Sequence, residues 1–218
     1  MHELGPDLVR WAARHPEWHP GEFGAEVNSY AFRVGREAVL IDPLMPGADD
    51  EISAELDSFV RGRSVSILIT ITYHVRSAEP LSKRYGATVH GHRAVAKRLA
   101  DGIPFEAFET GDDLPGGAVP QRIGNPRRYE TPLLIPSQSA LAFGDAVVTA
   151  GGELRVWEQA SSTANRREWY EQKFLPSLLP LLELDFERVL TTHGDPILTN
   201  GRAALRSALD APPWWHRG

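Results

Sequence analysis

The chain has 218 residues, with 23 Lys and Arg against 29 Asp and Glu and a formal charge of -6. Its basic clusters are short and scattered, which excludes a nucleic-acid track, and the absence of cysteine excludes disulfides and thiolate metal sites. No window reaches the roughly 18 apolar residues of a membrane span, and no apolar stretch follows a basic start as in a leader, so a soluble, cytoplasmic protein is expected.

At about 150 residues per domain the length suits one large domain or two small ones. Pro and Gly are spread as turn punctuation, and no low-complexity tract separates two halves, so one domain over 1–218 is expected.

In chain order, the opening stretch through Trp18 reads as an arm packing Trp11 and Trp18, because His15 and His19 each precede a Pro that favours extended backbone. "SYAFRV" and "AVLID" flank the turn "GRE" as a hairpin ending at Asp42. Ile52, Leu56, Phe59 and Val60 follow helical spacing behind Asp49 and Asp50. An apolar strand runs from Ile67 to His74, and "AEPLSKRYGA" then reads as a helix with Pro80 in its first turn and Gly86 as its stop. "TVH" and "HRAVAKRLA" give another strand and helix, with His90 and His92 read as closing the strand. The Gly/Pro-rich run 111–129 reads as a solvated loop, although Arg122, Arg127 and Arg128 could shape a mouth for an anionic substrate.

"TPLLI" and "ALAF" form a second hairpin, whose later strand ends at Asp145. Residues 165–184 read as a helix broken by Pro176 and Pro180, with Trp169, Tyr170 and Phe174 as a packing face. A strand from Val189 to His193 and a helix over 200–211 follow. The tail, with Trp214 and Trp215, reads as docked on the core, a dimer contact or a lid.

Hairpins mixed with strand-helix-strand units predict an α/β protein with mixed sheets. In such folds ligands sit beyond the carboxyl ends of strands. Asp42, His74, Asp145 and His193 all fall at such ends, so two acids and two imidazoles are candidates for one site.

These segments resemble the metallo-β-lactamase superfamily. The resemblance rests on "NSYAFRVGREAVLIDPL" as the opening hairpin, "ILITITYHVRSAEPLSKRYGATVHGH" as ligand loop, helix and strand, "ALAFGDAVV" as the strand with the bridging acid, and "DFERVLTTHGDP" as the strand with the last histidine. It implies a four-layer αββα sandwich of two mixed β-sheets flanked by helices, with a site at one edge between the sheets and hydrolysis by one or two zinc ions. The family's ligand loop reads T-H-x-H-x-D-H. Aligned on Thr70, its ligand positions hold Ile71, Tyr73, Val75 and Arg76, so the loop is degenerate. Glu130 in "YETP" stands near the position of the third histidine, Asp145 at the bridging acid, His193 at the last histidine and Asp42 at the family's structural acid.

Zinc needs three or four N, O or S donors, and Ile71 and Val75 offer none. Arg76 is a permanent cation with donors only. The leading expectation is a hydrolase-like protein without a cofactor, in which Arg76 takes the second-metal position and pairs with Asp145, Asp42 or both. His74, Arg76, Asp145 and His193 form its catalytic set, with Tyr73 and Asp42 towards substrate. One alternative is a one-metal hydrolase of a small ester, thioester or lactone, holding zinc, manganese or iron on Glu130, Asp145 and His193, with or without His74. Another is hydrolysis without metal, with His74 or His193 as base and Arg76 at an oxyanion. A metal-free binding or interaction module is the competing class. The expected partner is an unidentified small molecule, with no nucleic acid or membrane, and a homodimer is a further expectation.

Overall fold

The computed structural model describes residues 1–19, 24–47, 51–124, 129–157 and 164–214. Its first sheet has seven strands in the order of the chain: β1 (His2–Gly5), β2 (Leu8–Arg14), β3 (Glu26–Val34), β4 (Glu37–Ile41), β5 (Ser64–Ile69), β6 (Thr88–Gly91) and β7 (Phe105–Ala107). The strands β1 to β4 are antiparallel neighbours, while β4 to β7 run parallel. Helix α1 (Glu51–Val60) makes the crossover from β4 to β5, and α2 (Ala78–Tyr85) that from β5 to β6.

The second sheet combines β8 (Val119–Pro120), β9 (Leu133–Ile135), β10 (Ala140–Ala142) and, parallel to β10, the late strand β13 (Arg188–Leu190). Between them the chain makes a separate hairpin of β11 (Val147–Ala150) and β12 (Glu153–Val156), then the helical segments α3 (Ala164–Trp169) and α4 (Leu175–Leu178). Helix α5 (Gly201–Asp210) follows β13.

Alternation along the strands builds the layers. In β4, Ala38 and Leu40 face a core shared with Leu56, Phe59 and Val60 of α1 and Leu81 of α2. Val39 and Ile41 point the other way, into a core shared with Leu133, Ile135, Ala140, Ala142 and Leu190 of the second sheet. On that sheet's far side, Leu141 and Val189 join Phe174, Leu178, Leu205 and Leu209. Three apolar interfaces between four layers give the αββα sandwich. Both sheets are mixed, as the sequence predicts.

The opening stretch is a correction. It is a hairpin paired to β3, because buried positions alternate along β2 through Trp11 and Ala13. The segment after β6 is a 3-10 turn, Arg93–Arg98, with the His92 ring accepting from the Ala94 amide at its start. The helix predicted over 165–184 is subdivided: α3 widens into a π-turn at Tyr170–Phe174, α4 follows, and a 3-10 turn ends the run at Glu183. Pro176 and Pro180 each remove an amide donor and crowd the preceding turn. Trp169, Tyr170 and Phe174 are core, as predicted. Among the described residues no helix is long and apolar enough to cross a membrane.

Candidate functional site at the edge between the sheets

The chain leaves β4, β5 and β13 at one edge of the sandwich, where the loop that follows β10 also lies. Asp42, directly after β4, is the anchor. It is 2% exposed and has a left-handed backbone, φ 47°, a conformation costly for a residue with a Cβ unless its surroundings hold it. They do: Oδ1 accepts from the Thr70 amide at 2.8 Å, and Oδ2 accepts from the Thr70 hydroxyl. Oδ2 also accepts from His74 Nδ1 at 2.8 Å.

His74 is placed differently from expectation. Strand β5 stops at Ile69, and His74 sits in the run of turns before α2. The cause is the demand of Asp42, which turns the chain at Thr70 and draws His74 back. The other imidazole nitrogen, Nε2, lies 3.3 Å from Asp145 Oδ1, so two carboxylates hold one ring. Burial and the Arg76 cation push the His74 proton affinity down, but Asp145 and Asp42 outweigh them and the net shift is upward.

Asp145 lies in the turn between β10 and β11. Burial favours its neutral form, yet His74, His193 and Arg76 hold its carboxyl well below the usual carboxylate range. His193 Nε2 lies 3.7 Å from the same oxygen, Oδ1, a gap that suits a bridging water better than a direct bond. Burial pushes the His193 imidazole down to about 4 despite Asp145, with Arg76 and His74 adding to the fall. The ring is 13% exposed and sits edge-on to Trp157, centroids 5.6 Å apart.

Arg76 also has a left-handed backbone, φ 41°. Its Nη1 donates to the carbonyl oxygen of Asp42 at 3.0 Å and to that of Asn28 at 3.4 Å. Among the described residues no carboxylate lies within ion-pair distance of it. The expected pairing with the Asp42 or Asp145 carboxylate is therefore corrected to a carbonyl clamp: Thr70 and His74 occupy the Asp42 oxygens, and His74 faces Oδ1 of Asp145. The two acids still act through space, partly offsetting the burial that lowers the guanidinium's proton affinity.

Sequence reasoning missed two supporting roles. The Asn28 side chain, from β3, donates to the carbonyls of Thr191 at 2.8 Å and Gly194 at 2.6 Å, while its amide donates to the Thr192 carbonyl at 2.7 Å. One side chain of the first sheet thus holds the loop that carries His193. Tyr30 adds a bond from its hydroxyl to the Thr191 carbonyl at 2.7 Å. The second support is Glu130, whose Oε1 accepts from the amides of Gly144 and Ala146, both at 3.0 Å. It grips the turn on either side of Asp145. An Asn and a Tyr inside an apolar strand, and an acid before "TP", were the available signals.

The remaining sequence candidates separate. Tyr73 is 37% exposed, with the Arg98 guanidinium 4.8 Å over its ring. His90 lies near Glu106, and His92 stacks on Tyr129 instead of joining His90. Trp214 is docked by a parallel bridge to Trp157. Arg127, Arg128 and Trp215 lie outside the described residues.

The two-zinc centre implied by the resemblance can be tested on these donors. Ile71 and Val75 are buried apolar residues without a donor, Val75 within the core under α2, and Arg76 carries donors only. Among the described residues no group of three or more His, Asp or Glu side chains is arranged to hold a metal ion. The residues do not fit that centre.

No family model and no curated protein matches the chain. Solved structures do. The DIM-1 metallo-β-lactamase exposed to ceftazidime superposes with TM-score 0.68 at 13% identity, over 96% of this chain and 94% of that one. A metallo-β-lactamase family protein from Thermus thermophilus gives TM-score 0.61 at 17% identity, over 95% and 80%. A protein solved in a di-iron-bound form gives TM-score 0.55 at 21% identity, over 86% and 94%. With its two mixed sheets, flanking helices and acid-histidine edge, the chain has the metallo-β-lactamase fold.

Proposed function

We propose that this is a hydrolase-like, small-molecule-binding protein whose site works without the metal pair, with Arg76 in the second-metal position and the His74 ring beside it. The observation that carries the reading is the guanidinium. Nη1 is engaged by two carbonyls, while the buried Nε has no acceptor among the described residues. A guanidinium N–H left without an acceptor inside the site is a donor suited to a carboxylate or another oxyanion.

Charge supports the same reading. The Arg76 guanidinium acts through space on Asp42 and Asp145, and both acids favour the charged form of His74. Binding is supported ahead of turnover. Both nitrogens of His74 face carboxylates, so it is no base, and His193, at about 4, is a weak one, since general-base catalysis is best served near the working pH.

The test has two parts. Protein purified without chelator or metal-affinity tag is dialysed against zinc, manganese and iron in turn, and its metal content is measured. No stoichiometric metal is expected. A full equivalent that disappears in both Asp145→Ala and His193→Ala would overturn the reading in favour of the one-metal hydrolase, and esters, thioesters and lactones would then be screened. In the second part, the Arg76 Nε–H resonance is followed during titration with acetate. It should move saturably, and a resonance that stays still would remove the anion-binding claim.

A further inference from the structure

Beyond the acid-histidine edge, the loop outside β6 carries an open cavity of about 580 Å³, lined by Thr72, Tyr73, Ala94, Lys97, Arg98 and Tyr129. This is within the roughly 300–1,000 Å³ usual for small-molecule sites. Its only charged lining groups are two cations. In a chain with an excess of acids, neither Lys97 nor Arg98 has an ion-pair partner among the described residues, and Arg98 instead covers the ring of Tyr73 at 4.8 Å.

The walls are held in place. Lys97 and Arg98 close the 3-10 turn, which His92 caps and which Val95, fully buried against Gly91, pins to β6. On the opposite side Tyr129 has φ 65°, a left-handed backbone that a tyrosine rarely adopts. Its ring is 54% exposed and stacks on His92, with centroids 4.4 Å apart and planes within 5°. Tyr129 is also shared with a second cavity of about 290 Å³, lined in part by His92, Arg122 and Glu130. A strained, exposed aromatic ring that two hollows share is a common mark of a binding surface.

We propose that the Lys97–Arg98–Tyr73–Tyr129 cavity binds a planar anion. A flat aromatic or conjugated body would lie against the tyrosine rings, with a carboxylate or phosphate head between Lys97 and Arg98. The cavity uses none of the donors of the Arg76 site, so the proposal stands apart from the reading above.

The test is calorimetric titration of the whole protein with 2-naphthoate, 2-naphthyl phosphate and the uncharged 2-naphthamide. One or both anions should bind at least about tenfold more tightly than the amide, and the tighter of the two identifies the head group. The double variant Lys97→Gln/Arg98→Gln, exposed at both positions, should lose that preference. Two results overturn the proposal: no binding or equal binding of anion and amide, or an unchanged preference in the double variant, which would place the probe in another site. Melting curves of all variants confirm that folded protein is compared.

Discussion

Asp42 orders the candidate site more than any other side chain. It bonds to the Thr70 amide and hydroxyl and to His74, and its carbonyl receives Arg76. Removing a buried charged partner leaves the other uncompensated, typically at about 3–5 kcal/mol. Asp42→Ala should therefore lower unfolding free energy by about 3 kcal/mol or more in urea titrations, and a loss below about 1 kcal/mol would show that the cluster contributes little to the fold. The two histidines should act in opposite directions with pH. His74 binds its proton more tightly in the folded chain, so its contribution is full below the ordinary histidine value of 6.5 and fades as pH rises through its higher folded value. His193 stays neutral in the folded chain down to about 4, while the unfolded chain protonates from 6.5, so stability falls on acidification between those values. His193→Gln should flatten the acid limb of stability against pH, and His74→Gln the alkaline limb. Wild-type slopes in both variants would contradict this assignment. Asp42, Asp145 and His193 were legible in sequence because each closes or follows an apolar run. The carbonyl clamp on Arg76 was not, because only folding reveals that Thr70 and His74 have already taken the Asp42 oxygens.

Among the elements, the loop after β13 is the most constrained. Gly194 has φ 75°, and a Cβ there would run into the Thr149 carbonyl of β11. The same loop is fixed by the bond from the Thr149 amide to the His193 carbonyl at 2.9 Å. Gly194→Ala should thus both destabilise the fold, by about 1–3 kcal/mol for a strained backbone, and shift the His193 ring. Denaturation together with the His193 ring resonances would check this, and unchanged values for both would show that the loop yields freely. The central hairpin and the helices α1, α2 and α5 were readable from periodicity and turn residues. The β1–β2 hairpin was obscured by its Pro-rich sequel, and the split of residues 165–184 into α, π and 3-10 turns depends on how each proline's lost donor is accommodated, which no local pattern specifies.

For the molecule as a whole, three apolar interfaces join the four layers. A ligand that binds only the folded chain raises its apparent stability by mass action. If no metal contributes here, the melting temperature should be the same before and after exhaustive treatment with EDTA. A fall of several degrees, reversed by added zinc, manganese or iron, would show that a metal is part of the native state. The sandwich was legible because alternation within strands such as β4 reveals two buried faces. Its edge chemistry was only half legible, because the acids and histidines at strand ends can be read from sequence while the hydrogen bonds among them cannot.

The edge contact between Trp157 and His193 has an optical consequence. A protonated imidazole quenches the emission of an adjacent indole far more than a neutral one does. Trp157 is therefore a natural lamp beside the site, and the difference in emission between the wild type and Trp157→Phe should follow the ionisation of His193 directly. Any molecule that enters this edge and changes the charge of that ring would announce itself as a change in brightness, without a label and without a known substrate.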